Sequence, residues 1–103
     1  MNNLDQKEWV FLKEEKTDAV ILDVRTEEEF ESGYIVGAHL IDIRKPHDFM
    51  EAIQDLDKSK SYFVYCRSGA RSSQACQLLG QLGIASSYNL KGGILAWTGD
   101  IVV

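Results

Sequence analysis

Cysteine, proline and positive charge are all scarce in this chain, and long apolar runs are missing. The 103 residues include two cysteines, Cys66 and Cys76, and a single proline. The cysteines lie ten residues apart, so neither belongs to a C-x-x-C pair, which removes the simplest redox and zinc readings. Cys66 falls on a predicted loop and Cys76 inside the following predicted helix, a separation expected to keep their Cα atoms beyond disulfide reach. Cys76 is therefore expected in the core, pointing away from that loop, rather than as a resolving thiol. Lys and Arg number 11 against 16 Asp and Glu, a net charge of −5. That excludes the general basic footprint of a nucleic-acid or acidic-membrane binder and favours a small anion as ligand. No run approaches the ~18 apolar residues of a membrane span, and Met1-Asn2-Asn3-Leu4-Asp5 lacks the basic-then-apolar order of a signal peptide. A cytoplasmic location is expected. His39 and His47 make no metal-ligand spacing with Cys66 and read as ordinary histidines. With no repeats, low-complexity tracts or linkers, residues 1–103 read as one domain, 45% hydrophobic and 26% charged as in ordinary globular proteins.

What the chain does have is the stretch Ser61-Tyr62-Phe63-Val64-Tyr65-Cys66-Arg67-Ser68-Gly69-Ala70-Arg71-Ser72-Ser73. It reads as a β-branched and aromatic strand that stops at a cysteine, a short loop, then a helix opening on serines. A loop between a strand end and a helix N-terminus can turn several N–H groups toward one point, where the helix dipole adds partial positive charge. Cys66 is expected at that focus. With Arg67 and Arg71 nearby, its pKa is expected below the ordinary value of about 8.5, which enriches the thiolate that attacks electrophiles. The bland alternative is a small apolar residue at a buried strand end. The run Arg-Ser-Gly-Ala-Arg after the cysteine decides for the nucleophile.

Around that stretch, strands and helices alternate. Residues 4–13 suit a short helix with Trp9, Leu12 and Leu4 facing inward. Residues 19–24 form an apolar run ending at Asp23, as in a central parallel strand covered on both faces. Thr26 caps a helix with Glu27, Glu28 and Glu29 in its first turn, ending near Ser32-Gly33. A turn at residues 34–38 feeds a strand at 39–43, and Pro46 opens a helix carrying Phe49, Met50, Ile53 and Leu56. A helix is predicted over 73–82 with Gly83 at its C-cap, a strand over 85–90, a tight turn at Lys91-Gly92-Gly93 and a helical turn over 94–97. Alternation of this kind favours a parallel sheet with helices on both faces and active groups beyond the carboxyl ends of strands. Asp23, Cys66 and the turn at Lys91 all follow strands and are expected along one edge.

Three segments in this order and spacing resemble the rhodanese family, the single-domain sulfurtransferases. They are Leu22-Asp23-Val24-Arg25 followed by Glu29-Phe30-Glu31-Ser32-Gly33-Tyr34-Ile35-Val36-Gly37-Ala38, then Cys66-Arg67-Ser68-Gly69-Ala70-Arg71, then Leu90-Lys91-Gly92-Gly93 with Trp97. The resemblance covers roughly residues 4–98. It implies an α/β fold with a five-stranded, mostly parallel sheet flanked by helices on both faces. It also implies that Cys66 accepts a sulfur, that the loop of Arg67, Ser68, Gly69, Ala70 and Arg71 cradles it, and that Arg67 and Arg71 orient the donor's sulfonate. No metal or organic cofactor is needed for such chemistry. The donor would be thiosulfate or another small anion or persulfide, and the acceptor a thiol, cyanide or a sulfur-carrier protein. Asp23 and Arg25 would support the loop, and Lys91 would border the pocket. Ser72 is expected to cap the helix with its hydroxyl in reach of the persulfide, and Glu29 to cap or face solvent. The chain departs from the family's Gly-His-Ile-Pro-Gly-Ala turn at Gly33-Tyr34-Ile35-Val36-Gly37-Ala38, where Tyr34 is expected to brace the turn. Trp97 is expected to cover the core under Gly92-Gly93.

Two rival functions remain at this point. A cysteine-dependent phosphatase or arsenate reductase also sets a ring of N–H groups around a thiolate, but with a longer spacer than the four residues between Cys66 and Arg71. The shorter ring suits one sulfur atom better than a phosphoryl group. A non-catalytic binding module is the other rival; relatives of that kind commonly lack the cysteine, which is present here with both arginines.

Overall fold

In the computed structural model, which describes residues 2–103, every strand that carries the site ends on the same edge of one sheet. In chain order the elements are β1 (Asn2–Leu4), α1 (Gln6–Glu15), β2 (Ala19–Asp23), α2 (Glu27–Glu31), β3 (Tyr34–Ile35), β4 (Ala38–Leu40), α3 (Pro46–Gln54) and β5 (Ser61–Tyr65). They continue with α4 (Ala70–Gln81), β6 (Ser86–Leu90), a 3-10 turn (Ile94–Ala96) and β7 (Ile101–Val102). The main sheet has the order β1-β6-β5-β2-β4, and all four of its pairings are parallel. The expected "mostly parallel" sheet of five strands is thus wholly parallel. Asp23 is the last residue of β2, and Cys66 and Lys91 follow the ends of β5 and β6, so the three do line its carboxyl edge.

Two-sided burial follows from the two-residue period of a strand. Along β5, Tyr62 and Val64 pack with Phe49 and Ile53 of α3 and Ala75, Cys76 and Leu79 of α4. Phe63 and Tyr65 point the other way, against Trp9 of α1, whose indole meets both rings edge-on at 5.8 and 6.4 Å. Trp97 meets Trp9 edge-on at 5.7 Å and packs, partly buried, against the same cluster. Fully burying side chains of this size stabilises by about 2–3 kcal/mol each relative to exposure.

Four boundaries differ from the sequence reading. Leu4 belongs to β1 rather than to a helix over 4–13. Asp5 caps α1 by accepting from Glu8 N–H at 2.9 Å, and the Leu4 carbonyl takes the Lys91 N–H at 2.7 Å. Tertiary pairing with β6 has overridden local propensity here. The strand expected over 39–43 is β4, Ala38–Leu40; beyond it Ile41 N–H and Ile43 N–H still reach the carbonyls of Asp23 and Val24. The helix expected from Ser73 begins at Ala70, with Gly69 as N-cap and Leu82 as C-cap just before Gly83. Finally, the turn expected at 34–38 contains β3, which pairs antiparallel with β7 in a separate ribbon.

Candidate active site

Cys66 is the first residue past β5, 1% exposed, and its sulfur is surrounded by donors. Gly69 N–H donates to Sγ at 3.1 Å, Ser72 N–H at 3.4 Å, and the Ser72 hydroxyl lies at 3.3 Å. The sulfur therefore takes the place of a side-chain cap on α4, which has none of its own. Burial pushes the thiol up, but the Ser72 hydroxyl and the N–H groups of Ser72, Gly69 and Ser68 together outweigh it, and its pKa lies below the ordinary value. The lowering was expected. Its leading cause is hydrogen bonding rather than the two arginines.

The loop is shorter than the sequence suggested. Only Arg67, Ser68 and Gly69 are non-helical, and Ala70 and Arg71 form the first turn of α4. Gly69 sits at φ +105°, a region open to glycine, and this sharp reversal aims its N–H back at the sulfur. Ser72 is not the cap. It lies inside the first turn of α4, fully buried, where both its hydroxyl and its N–H reach Cys66.

A second turn supports the loop from below. Ile94 N–H donates to the Cys66 carbonyl at 3.0 Å and Leu95 N–H to the Arg67 carbonyl at 3.1 Å. Gly93 makes this approach possible: at φ +60°, a Cβ on it would sit 2.3 Å from the Arg67 carbonyl oxygen. The glycine pair of the sequence motif is thus a packing requirement of the Cys66 loop.

The charged residues distribute differently from expectation. Arg71 gives two hydrogen bonds to Glu29, at 2.7 and 2.9 Å, joining α4 to α2. Glu29 also completes a capping box with Thr26, so its expected capping role holds and an ion pair is added to it. The Arg71 hydrogen bonds and those from Thr26, against an opposing contribution from burial, hold the Glu29 carboxyl at about 2. Arg67 is exposed, as is Lys91.

Asp23 and Arg25 are neither exposed charges nor direct loop contacts. They are buried, at 0% and 4% exposure, and bound to each other, with Arg25 Nη2 donating to Asp23 Oδ2 and to the Gly33 carbonyl, both at 2.7 Å. The Arg25 guanidinium also lies 5.6 Å from the Tyr65 ring centre. Tyr65 in turn accepts Ile35 N–H on its hydroxyl at 3.0 Å. The support reaches Cys66 through its neighbour Tyr65, whose carbonyl also takes the Val24 N–H at 3.1 Å. Tyr34 stacks on Phe30 at 4.0 Å, the bracing expected of it.

Cys76 is buried in the same core cluster that Cys66 borders. Burial, opposed by a hydrogen bond with Ser87, pushes its thiol up to about 11. His47 pairs with Glu51 on the surface, and among the described residues no three His, Cys, Asp or Glu side chains gather as a metal site. Among the same residues no helix is long and apolar enough to cross a membrane.

One residue of the site escaped the sequence reading. Asn89, 2% exposed, accepts the Ser72 hydroxyl on Oδ1 and donates through Nδ2 to the Gly69 carbonyl at 3.2 Å. Its signal was a polar side chain directly before the Leu-Lys-Gly-Gly turn, in a strand that β1 and β5 flank on both sides.

Residues 6–100 match the Rhodanese-like domain family. The chain belongs to the rhodanese family. A sulfurtransferase of Allochromatium vinosum is 36% identical over 102 residues, 94% of this chain and 88% of that protein. The thiosulfate sulfurtransferase GlpE of Coxiella burnetii is 34% identical over 86% of this chain and 78% of its own length. A rhodanese-like domain protein from Staphylococcus aureus superposes with a TM-score of 0.79 at 33% identity, covering 97% of this chain and 93% of that one. A tRNA uridine(34) hydroxylase of Cytophaga hutchinsonii is 34% identical over 92% of this chain, which spans only 31% of that protein. The rhodanese-like domain described here thus shares its family with proteins named for sulfur transfer and, as one part of a longer chain, with a hydroxylase.

Proposed function

We propose that this domain moves a sulfane sulfur from a donor to an acceptor through a persulfide on Cys66. The observation that carries the reading is the convergence of Gly69 N–H, Ser72 N–H and the Ser72 hydroxyl on one sulfur atom. In the first step the Cys66 thiolate attacks the outer sulfur of thiosulfate. A Cys66 S–S bond forms, the bond to the sulfonate sulfur breaks with its electron pair, and sulfite leaves. In the second step a nucleophile, either cyanide or a thiol, takes the outer sulfur and returns the Cys66 thiolate. Charge is conserved in both steps and no external oxidant or reductant enters.

The residues divide into roles within this reading. Arg67 and Lys91, exposed and cationic, meet the anionic end of the donor, together with those guanidinium hydrogens of Arg71 not given to Glu29. Ser68, Gly69 and Ala70 shape the cradle, and Ser72 holds the anionic sulfur. Asp23 and Arg25 fix the strand end behind it. Thiosulfate is favoured as a donor by the similarity to GlpE, and a thiol or a sulfur-carrier protein is the acceptor, in the cytoplasm and without nucleic acid or membrane. Incubation with thiosulfate is expected to add about 32 Da to the intact protein, the mass of one sulfur on the covalent intermediate, and to add nothing to Cys66→Ala. No gain in the native chain, or the same gain in the variant, refutes the reading. Hydrolysis of an aryl phosphate lost in Cys66→Ser would instead support the phosphatase alternative.

A further inference from the structure

Asn89 stands in β6 opposite Val64, two residues before Cys66 in the neighbouring strand, so the register brings it beneath the loop. The orientation of its carboxamide is fixed by its neighbours. The Gly69 carbonyl is an acceptor only, so the end facing it at 3.2 Å must be the NH2 group. The same NH2 group donates to Asn3 Oδ1 at 2.6 Å, from the edge strand β1. Oδ1 is thereby turned to Ser72, whose hydroxyl donates to it. One buried carboxamide therefore grips the two residues, Gly69 and Ser72, whose N–H groups point at the Cys66 sulfur.

We propose that Asn89 is a positioning residue for the Cys66 sulfur, acting through Ser72 and Gly69. The proposal rests on Cys66 being the nucleophile. Two effects of losing the carboxamide oppose each other. Freeing the Ser72 hydroxyl from Oδ1 leaves it wholly to the sulfur, which favours the thiolate. Loosening Gly69 lets its N–H shift, which disfavours the thiolate. The first dominates. The single hydroxyl hydrogen of Ser72 is shared between Oδ1 and the sulfur, with Oδ1 the shorter contact, and a hydrogen bond to an ionised acceptor is about twice as strong as one between neutral groups, so the thiolate gains from its release. The Gly69 carbonyl keeps the Ser73 N–H at 3.1 Å when it loses its side-chain partner from β6, and the Gly69 N–H belongs to the preceding peptide.

The test is the pH dependence of Cys66 alkylation by iodoacetamide, followed by intact mass. The Cys76 thiol, pushed up to about 11, is kept out of the signal by working in a Cys76→Ala background. Asn89→Leu is expected to lower the alkylation midpoint by about one pH unit, which raises the thiolate fraction below the midpoint about tenfold. Asn89→Val, a residue at ease in strands and without a hydrogen-bonding side chain, is expected to move it in the same direction and serves if the leucine variant does not fold. The pH profile of sulfur uptake from thiosulfate should shift to lower pH with it. A merely structural asparagine would lower the melting temperature and leave the midpoint unmoved, and that result, or a raised midpoint, overturns the proposal. Alkylation needs no sulfur donor, so a lowered midpoint in a protein that takes up no sulfur upholds Asn89 and defeats only the transfer reading.

Discussion

Arg71 and Glu29 meet through two hydrogen bonds, 2.7 and 2.9 Å long, across the gap between the first turns of α4 and α2. The pair fastens the start of the helix that faces the nucleophile to a helix more than forty residues earlier in the chain. Its stability contribution has a definite pH window. The Glu29 carboxyl is held at about 2 against an ordinary 4.5, so the pairing stabilises fully above the ordinary value and is lost as pH falls toward the lower one. Glu29→Gln keeps the capping box, since glutamine serves at that position, and removes the charge together with the Oε2 acceptor of Arg71 Nη2. At a quarter-exposed pair, solvent screening limits the loss at neutral pH to about 1 kcal/mol, roughly 4–8 °C of melting temperature. Thermal melts of both proteins down the acid range should converge as the pH nears the lower value.

Cys66 carries the second prediction. Its pKa is depressed, so sulfur uptake should rise with pH through a midpoint below that of an ordinary thiol and level off above it. Ser72→Ala removes the hydroxyl, the largest of the favourable contributions, and should move that midpoint upward. Stopped-flow sulfite release across pH measures both. A midpoint unchanged in Ser72→Ala would show that the amides alone hold the anion.

Gly93 and Gly80 should respond oppositely to the same change. A Cβ at Gly93 would meet the Arg67 carbonyl at 2.3 Å with φ at +60°, so Gly93→Ala must push the Cys66 loop away. Strain and overpacking of this kind cost about 1–3 kcal/mol, and activity should fall at least tenfold with them. Gly80 lies inside α4 with open space around its missing Cβ. Gly80→Ala should stabilise by about 0.5–1 kcal/mol without touching activity. Denaturant midpoints and one activity assay distinguish the two.

Asp23→Leu leaves the Arg25 guanidinium buried without its carboxylate, which should cost about 3–5 kcal/mol. Replacing both partners, Asp23→Leu with Arg25→Met, should recover much of that loss. Urea unfolding of the single and double variants decides. Equal destabilisation in both would mean that the Gly33 carbonyl, and not the ion pair, is the contact that counts.

The layered architecture and Cys66 were readable because each rests on a pattern confined to a few neighbouring residues. An apolar run such as residues 61–65 declares a covered strand, and a cysteine followed by a short polar loop declares a thiol at a helix N-terminus. What escaped the reading depends on partners distant in sequence. Leu4 looks helical until β6 is there to pair with it. Ser72 looks like a cap until a sulfur six residues earlier takes that position. Arg71 shows no carboxylate partner until Glu29 is folded beside it, and Asn89 has no reason to matter before β5 is laid beside it. Gly93 was legible as a turn, but its cause, the Arg67 carbonyl, was not.

The bond from Asn89 to Asn3 has a practical side. It ties the opening strand into the same fabric that holds the reactive sulfur, so cargo or a surface linker fused ahead of Asn2 would tug on the chemistry itself. Val103, 92% exposed at the other extremity, offers an attachment point that leaves this tie alone.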